Sequence, residues 1–225
     1  MSFTAAPYSP AGTVYGTLLN FSGEVAAMAG QMMQLPYKAP PKAPVLYIKT
    51  ANTWSANGAT IPVPAHVPEV EVGATIAMVI GSRAPSAGSP LATTSAAAFV
   101  LMNDLSIPHA SFFRPPVKFK CLDGFLGIGS RLVDAPRAGD PVGFKLLVHI
   151  NGKLRQTVDF SRMVRNAAQL LADVDEFMTL REGDVLMLGC DAGRPLACVG
   201  DRIDISAPGV PSLGTLSNTL AAEAP

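Results

Sequence analysis

The chain has 225 residues, with 17 Lys and Arg against 17 Asp and Glu, 15% charged residues and 48% apolar ones. That length suits one domain, or a domain with a small appendage, and can bury a core without disulfides. The even charge balance gives no electrostatic case for a nucleic acid or an anionic membrane as partner.

So low a charge content fits a surface partly covered by another subunit, a second copy or a paralogue, and also fits a bias toward Ala. The three cysteines, Cys121, Cys190 and Cys198, are odd in number and lack CxxC or His-paired spacing, the pattern of reduced thiols. No Lys or Arg precedes Lys38, which argues against a signal peptide. No apolar run approaches the ~20 residues of a membrane span, so the expected location is cytoplasmic.

In chain order, Thr13 to Asn20 reads as a strand and Gly23 to Gln34 as a short Ala/Met helix. Pro36, Pro40, Pro41 and Pro44 then form a stiff extended connector, because proline fixes φ and blocks helix. A soft boundary is expected near Pro44, dividing residues 1–44 from a main domain over 45–225 that opens with the strand Val45 to Lys49. Thr60 to Pro68, with three prolines, reads as a loop. It leads to a strand within Val70 to Gly81, strongest over Gly73 to Ile80. Ala84 to Ser95 reads as a loop whose end starts a helix at Thr93 or Thr94, running through Ala98 toward Val100.

Gly-Asp pairs at 139–140, 183–184 and 200–201 each precede an apolar segment and are turns feeding strands. Asn151-Gly152 between LLVHI and KLRQTVDF predicts a hairpin. Met163, Ala167, Leu170, Leu171, Val174, Phe177 and Met178 recur at helical spacing, which predicts one amphipathic helix starting near Ser161. Many strands with few helices make the fold class β-dominated α+β, not a doubly wound sheet.

Among chemistry-bearing residues, His66, His109 and His149 are not at metal-ligand spacing from one another and read as structural or exposed. No Gly-x-Ser-x-Gly elbow is present, and no helix pattern follows Gly124, Gly127 and Gly129, which argues against a dinucleotide fingerprint. Asp104 and Lys120 differ. Asp104 ends an apolar run after Asn103, and Lys120 lies between Phe119 and Cys121, so both are expected to be desolvated and in need of partners. Such a pair serves either a polarising site for an oxygen-rich molecule or an ion pair that holds a turn.

The ordered fragments AMVIG, NDLS, KCLDGFLGIG, ING, TLREGDVLMLG and GDRIDIS resemble the fumarylacetoacetate hydrolase family over roughly residues 45 to 220. LPYKAPPKAP, SFFRPPVKFKCLDGF and RNAAQLL narrow the resemblance to the N-terminal half of the isomerase/decarboxylase branch in homoprotocatechuate breakdown. The resemblance implies a compact β-roll and action on a dicarboxylate or tricarboxylate: 5-oxopent-3-ene-1,2,5-tricarboxylate or 2-hydroxyhepta-2,4-diene-1,7-dioate. It further implies Lys120 and Lys49 as catalytic residues, with Asp104, Asn103 and Lys120 binding substrate. A catalytically silent scaffold for a metal-competent paralogue is the alternative.

The family's Mg²⁺ or Mn²⁺ site uses two glutamates and one aspartate. The aspartate falls on Asp104, but the glutamates fall on Gly73 and Thr75, so no tightly bound metal is expected. Glu69 and Glu71 lie four residues early, ~13 Å along a strand. The motif arginine falls on Pro108, the N-terminal His and Glu on Glu24 and Ala27, and the late Thr-Pro on Cys190-Asp191.

Overall fold

The computed structural model describes residues 7–82, 84, 85, 92, 93 and 95–223. Its strands and helices follow in this order: β1 (Val14–Leu18), α1 (Ser22–Met32), β2 (Val45–Lys49), β3 (Trp54–Ala56), β4 (Thr60–Val63), β5 (Val70–Glu71) and β6 (Ala74–Ile80). Next come β7 (Ala84–Pro85), β8 (Ala92–Thr93), β9 (Ala96–Asp104), α2 (Val117–Lys120), β10 (Leu126–Ile128), β11 (Val133–Asp134) and α3 (Ala135–Ala138). The chain ends with β12 (Lys145–Ile150), β13 (Lys153–Asp159), α4 (Ala167–Asp175), β14 (Val185–Met187), β15 (Leu196–Ala197), β16 (Arg202–Ser206) and β17 (Thr215–Ala222).

Two sheets carry the fold. The larger is eight-stranded in the order β2-β1-β14-β6-β9-β10-β3, with β11 also on β9; the smaller runs β13-β12-β16-β17-β4. This is a β-dominated α+β fold. β1 lies between β2 and β14, so the segment before Pro44 is woven into the same sheet as the segment after it.

β6 and β9 form the centre of the larger sheet, and both of its faces are covered. Ile76, Met78 and Ile80, with Phe99 and Leu101, pack in the core between the two sheets. Ala77 and Val79, with Ala98, Val100 and Met102, pack on the other face against Met28 and Met32 of α1 and Tyr47 of β2.

That double burial explains a correction. The Ala-rich run expected to start a helix at Thr93 or Thr94 is strand: β8 ends at Thr93, and β9 pairs with β6 from Ala96 onward. A strand buried on both faces lacks the polar–apolar alternation that identifies a half-buried one. Most of the loop expected over Ala84 to Ser95 lies outside the described residues.

Thr60–Val63, expected as loop, is the edge strand β4, parallel to β17. Pro62 is tolerated there because an edge has one side that needs no ladder donor.

The expected long helix is also shorter. Asp159 accepts from the Ser161 N–H at 3.0 Å and closes a 3₁₀ turn over Phe160–Arg162. The α-helix then starts after Asn166, which caps the Gln169 N–H at 2.9 Å. Asn151, at φ +51°, and Gly152, at φ +75°, make the expected hairpin between β12 and β13.

Candidate active site

Asp104 is the last residue of β9. Successive side chains on a strand point to opposite faces, so Asp104 follows Val100 and Met102 to the α1 side of the larger sheet. Asn103 follows Phe99 and Leu101 toward the smaller sheet, where its Nδ2 lies 3.5 Å from Asn218 Oδ1. The two neighbours in sequence therefore do not share a site. Gly73 and Thr75 face the same side as Asp104, beside it across the β6–β9 ladder.

Two lysines close on Asp104. Lys49, at the end of β2, reaches Oδ1 at 2.8 Å, and Lys120, at the end of α2, reaches Oδ2 at 2.7 Å; all three side chains are fully buried. Tyr47 also donates its hydroxyl to Oδ2. Its ring lies under the Lys120 ammonium, 4.6 Å from Nζ to the centroid. The ring fits because Gly16 opposes it in the ladder: a Cβ there would come within 2.0 Å of Tyr47 Cζ.

The two ammoniums differ in their commitments. Lys49 donates to the carbonyls of Leu105 (2.9 Å), Lys120 (2.5 Å) and Phe125 (2.8 Å), while its charge pairs with Asp104 Oδ1. Those partners account for all three of its donors. Lys120 has Asp104 as its one hydrogen-bond acceptor among the described residues, which leaves two donors unspent. Beside it opens a cleft of about 490 Å³, lined by residues that include Leu46, Tyr47, Phe112, Phe113, Arg114 and Lys120.

Burial alone would raise the Asp104 pKa, but Lys120 and Lys49 outweigh it and hold the carboxyl well below the usual range. Burial pushes Lys49 down to about 8 despite its pairing with Asp104. Burial, then the Asp104 charge, raises the Tyr47 phenol and takes the Cys190 thiol to about 12. Both therefore stay neutral near pH 7.

A second set of charges abuts the first. Arg194 lies 3.7 Å from Glu24 Oε1 and 3.5 Å from Glu71 Oε2. Glu24 also accepts from the Leu19 N–H at 2.5 Å. Glu24, Glu71 and Asp104 thus face Lys49, Lys120 and Arg194, three charges against three. Arg194 and Tyr47 carry no motif signal in the sequence; their distance along the chain hides their part in the cluster. Glu71 reaches it through Arg194 because the expected single strand over Val70 to Gly81 breaks after β5, which pairs with β15.

His109 stacks on Phe119 at 4.7 Å and donates from Nδ1 to the Ile107 carbonyl at 2.9 Å. Burial lowers its pKa, so the neutral ring is favoured. Cys190 is buried beside Gly73: a Cβ added there would come within 3.0 Å of its Sγ.

The donor set does not fit Mg²⁺ or Mn²⁺, which take several hard oxygen ligands. Both Asp104 oxygens are already held by ammoniums, and Gly73 and Thr75 offer no carboxylate. Thr75 donates its hydroxyl to the Gly189 carbonyl at 2.6 Å. Among the described residues no group of three His, Cys, Asp or Glu side chains is placed to hold a metal ion.

Fold and site together define a two-sheet β-dominated roll with a charge cluster set into its larger sheet. Residues 13–221 match the fumarylacetoacetate (FAA) hydrolase C-terminal model, and the chain belongs to that family. It is 37% identical over 202 residues to a 4-hydroxyphenylacetate degradation bifunctional isomerase/decarboxylase of Escherichia coli, a match that covers 90% of this chain and 46% of the relative. The chain thus spans about half the length of that relative. A mitochondrial oxaloacetate tautomerase of Bos taurus is 28% identical, over 78% of this chain and 81% of the relative.

Among solved structures, a 2-hydroxyhepta-2,4-diene-1,7-dioate isomerase from Mycobacterium marinum superposes with a TM-score of 0.74 at 22% identity, covering 98% of this chain and 78% of that one. A fumarylacetoacetate hydrolase family protein from Yersinia pestis gives the same TM-score and identity, over 98% and 95%. At such identity these two bear on the fold alone. Among the described residues, no helix is long and apolar enough to cross a membrane.

Proposed function

We propose that this chain is one half of a split isomerase/decarboxylase of aromatic ring-cleavage catabolism. Its substrate would be 5-oxopent-3-ene-1,2,5-tricarboxylate, 2-hydroxyhepta-2,4-diene-1,7-dioate, or both in turn. A cytoplasmic location and pairing with a second copy or a paralogous half belong to the same proposal. The observation that carries it is Lys120, a buried ammonium beside the cleft with two donors unspent. Likeness to the E. coli isomerase/decarboxylase supports the choice of reaction.

In the tricarboxylate, the carboxylate that leaves sits on the saturated carbon next to the C=C bond that is conjugated to the ketone. As its C–C bond breaks, CO₂ departs and the electron pair moves through the alkene to the ketone oxygen. Protonation of that oxygen gives the hydroxy-diene dicarboxylate. Ketonisation then moves a proton from the enol oxygen to carbon. Both steps pass through negative charge on one oxygen, and a preorganised ammonium in a water-poor site lowers that barrier. Asp104 and the Tyr47 ring hold Lys120 in place, and Lys49 balances Asp104 from the other side.

A second reading has its own support. The cluster is charge-balanced and positions 73 and 75 carry no carboxylate, as in a silent half that scaffolds a metal-competent paralogue. Turnover of the two compounds by the isolated chain, with and without that paralogue, separates the readings. Activity of the chain alone supports the first. Activity only in the pair, unchanged by Lys120→Met, overturns it in favour of the second.

A further inference from the structure

We infer that the cleft beside Lys120 is a two-point site for an amphiphilic dianion, with Arg114 at its lip taking the carboxylate farther from Lys120. The inference rests on the proposed reaction only for the identity of the dianion. Of the fourteen described residues that line the cleft, two are cations, Arg114 and Lys120, and none is a carboxylate; Leu46, Phe112 and Phe113 are among its apolar walls. Its volume lies in the range of small-molecule pockets, ~300–1,000 Å³. An apolar lining that carries one buried and one exposed cation is complementary to a carbon chain with a carboxylate at each end.

Arg114 is exposed and makes no ion pair or side-chain hydrogen bond among the described residues, so its five donors are available. Its backbone is nonetheless held. Pro115 and Pro116 follow it with φ fixed by their rings, and the Pro116 carbonyl accepts from the Lys120 N–H at 2.9 Å in the first turn of α2. On its other side, the Phe112 N–H donates to the Tyr37 hydroxyl at 2.8 Å, and Phe113 packs edge-on against the Tyr37 ring at 6.0 Å. Arg114 and Lys120 thus sit at the two ends of one short braced segment, which lowers the ordering cost of binding.

The test uses heptanedioate and heptanoate, which have the same carbon count, differ by one carboxylate and cannot be turned over. Titration calorimetry on the wild-type chain is expected to show heptanedioate binding about tenfold or more tighter, the scale of one charge-assisted hydrogen bond. Arg114→Gln should bring the two acids to within about threefold of each other, with the melting temperature unchanged because the side chain is exposed. Arg137→Gln, an exposed arginine on α3, should leave the ratio intact. Equal binding by the wild type, no binding of heptanedioate, or a preference that survives Arg114→Gln overturns the inference. Selective binding in a chain with no Lys120-dependent turnover, alone or with the paralogous half, would sink the decarboxylase proposal and leave the cleft assignment standing; turnover without selectivity would do the reverse.

Discussion

Asp104→Asn changes one carboxylate to an amide of nearly the same shape and strands two buried ammoniums. At 2.7 and 2.8 Å, each lysine–Asp104 attraction is roughly 6 kcal/mol at an effective dielectric of ~20, before the cost of burying the charges. Removing one partner of a buried ion pair typically costs about 3–5 kcal/mol, because the charge left behind has no counter-ion. Lys49 retains three carbonyl acceptors, whereas Lys120 loses its one acceptor among the described residues. For a chain of this size such a loss lowers Tm by about 6–20 °C. Scanning calorimetry at pH 7 on the wild type, Asp104→Asn, Lys120→Met and the double variant measures it. The double variant should lose clearly less than the sum of the singles, by about 1 kcal/mol or more, since it removes opposite charges together. A Tm drop under about 2 °C for Asp104→Asn, or strict additivity, would refute the view that the cluster is a coupled buried network.

The pH dependence of stability should have two limbs. In the folded chain Lys49 titrates near 8, against 10.5 for a free lysine, so between those values the unfolded state binds more protons and stability rises with pH. The Asp104 carboxyl, held well below its free value of 3.8, contributes fully above that value and less as pH falls below it. Urea unfolding midpoints from pH 3 to 10 should lose the acid limb in Asp104→Asn and the alkaline rise in Lys49→Met. Restoring the glutamates by Gly73→Glu with Thr75→Glu should not create a metal site. A Cβ at position 73 meets the Asp104 carbonyl at 2.4 Å, and overpacking costs about 1–3 kcal/mol per site. A folded double variant with micromolar Mg²⁺ affinity in calorimetry would contradict that account. Light scattering should give a mass above 23.4 kDa, either for the chain alone or with a paralogous half added; a monomer across a concentration series in both cases would remove the pairing proposal.

Much of the architecture was legible where one local signal sufficed. Asn151-Gly152 specified its hairpin, and the Gly-Asp turns led into β12, β14 and β16. β9 was misread because Ala96, Ala97 and Ala98 favour helix in isolation, and its burial on both faces removes the alternation that would have corrected them. The site divides in the same way. Asp104 and Lys120 stood out as charges in apolar sequence, and Lys49 came through the family resemblance. Tyr47 and Arg194 did not stand out, because each meets Asp104 or Glu24 only after the sheet brings distant segments together. Asn103 came with Asp104 through the family resemblance, although the period of a strand sends adjacent side chains to opposite faces.

The most direct test of the central claim is the rate of CO₂ release from 5-oxopent-3-ene-1,2,5-tricarboxylate by the isolated chain in EDTA, with and without Lys120→Met, alongside thermal stability of the same preparations. The account predicts turnover that survives EDTA and falls by ~10²-fold or more in kcat when the ammonium is removed, on the scale of a lost oxyanion donor. Wild-type turnover abolished by EDTA and restored by Mg²⁺ would contradict it, as would Lys120→Met with lowered stability but unchanged kcat.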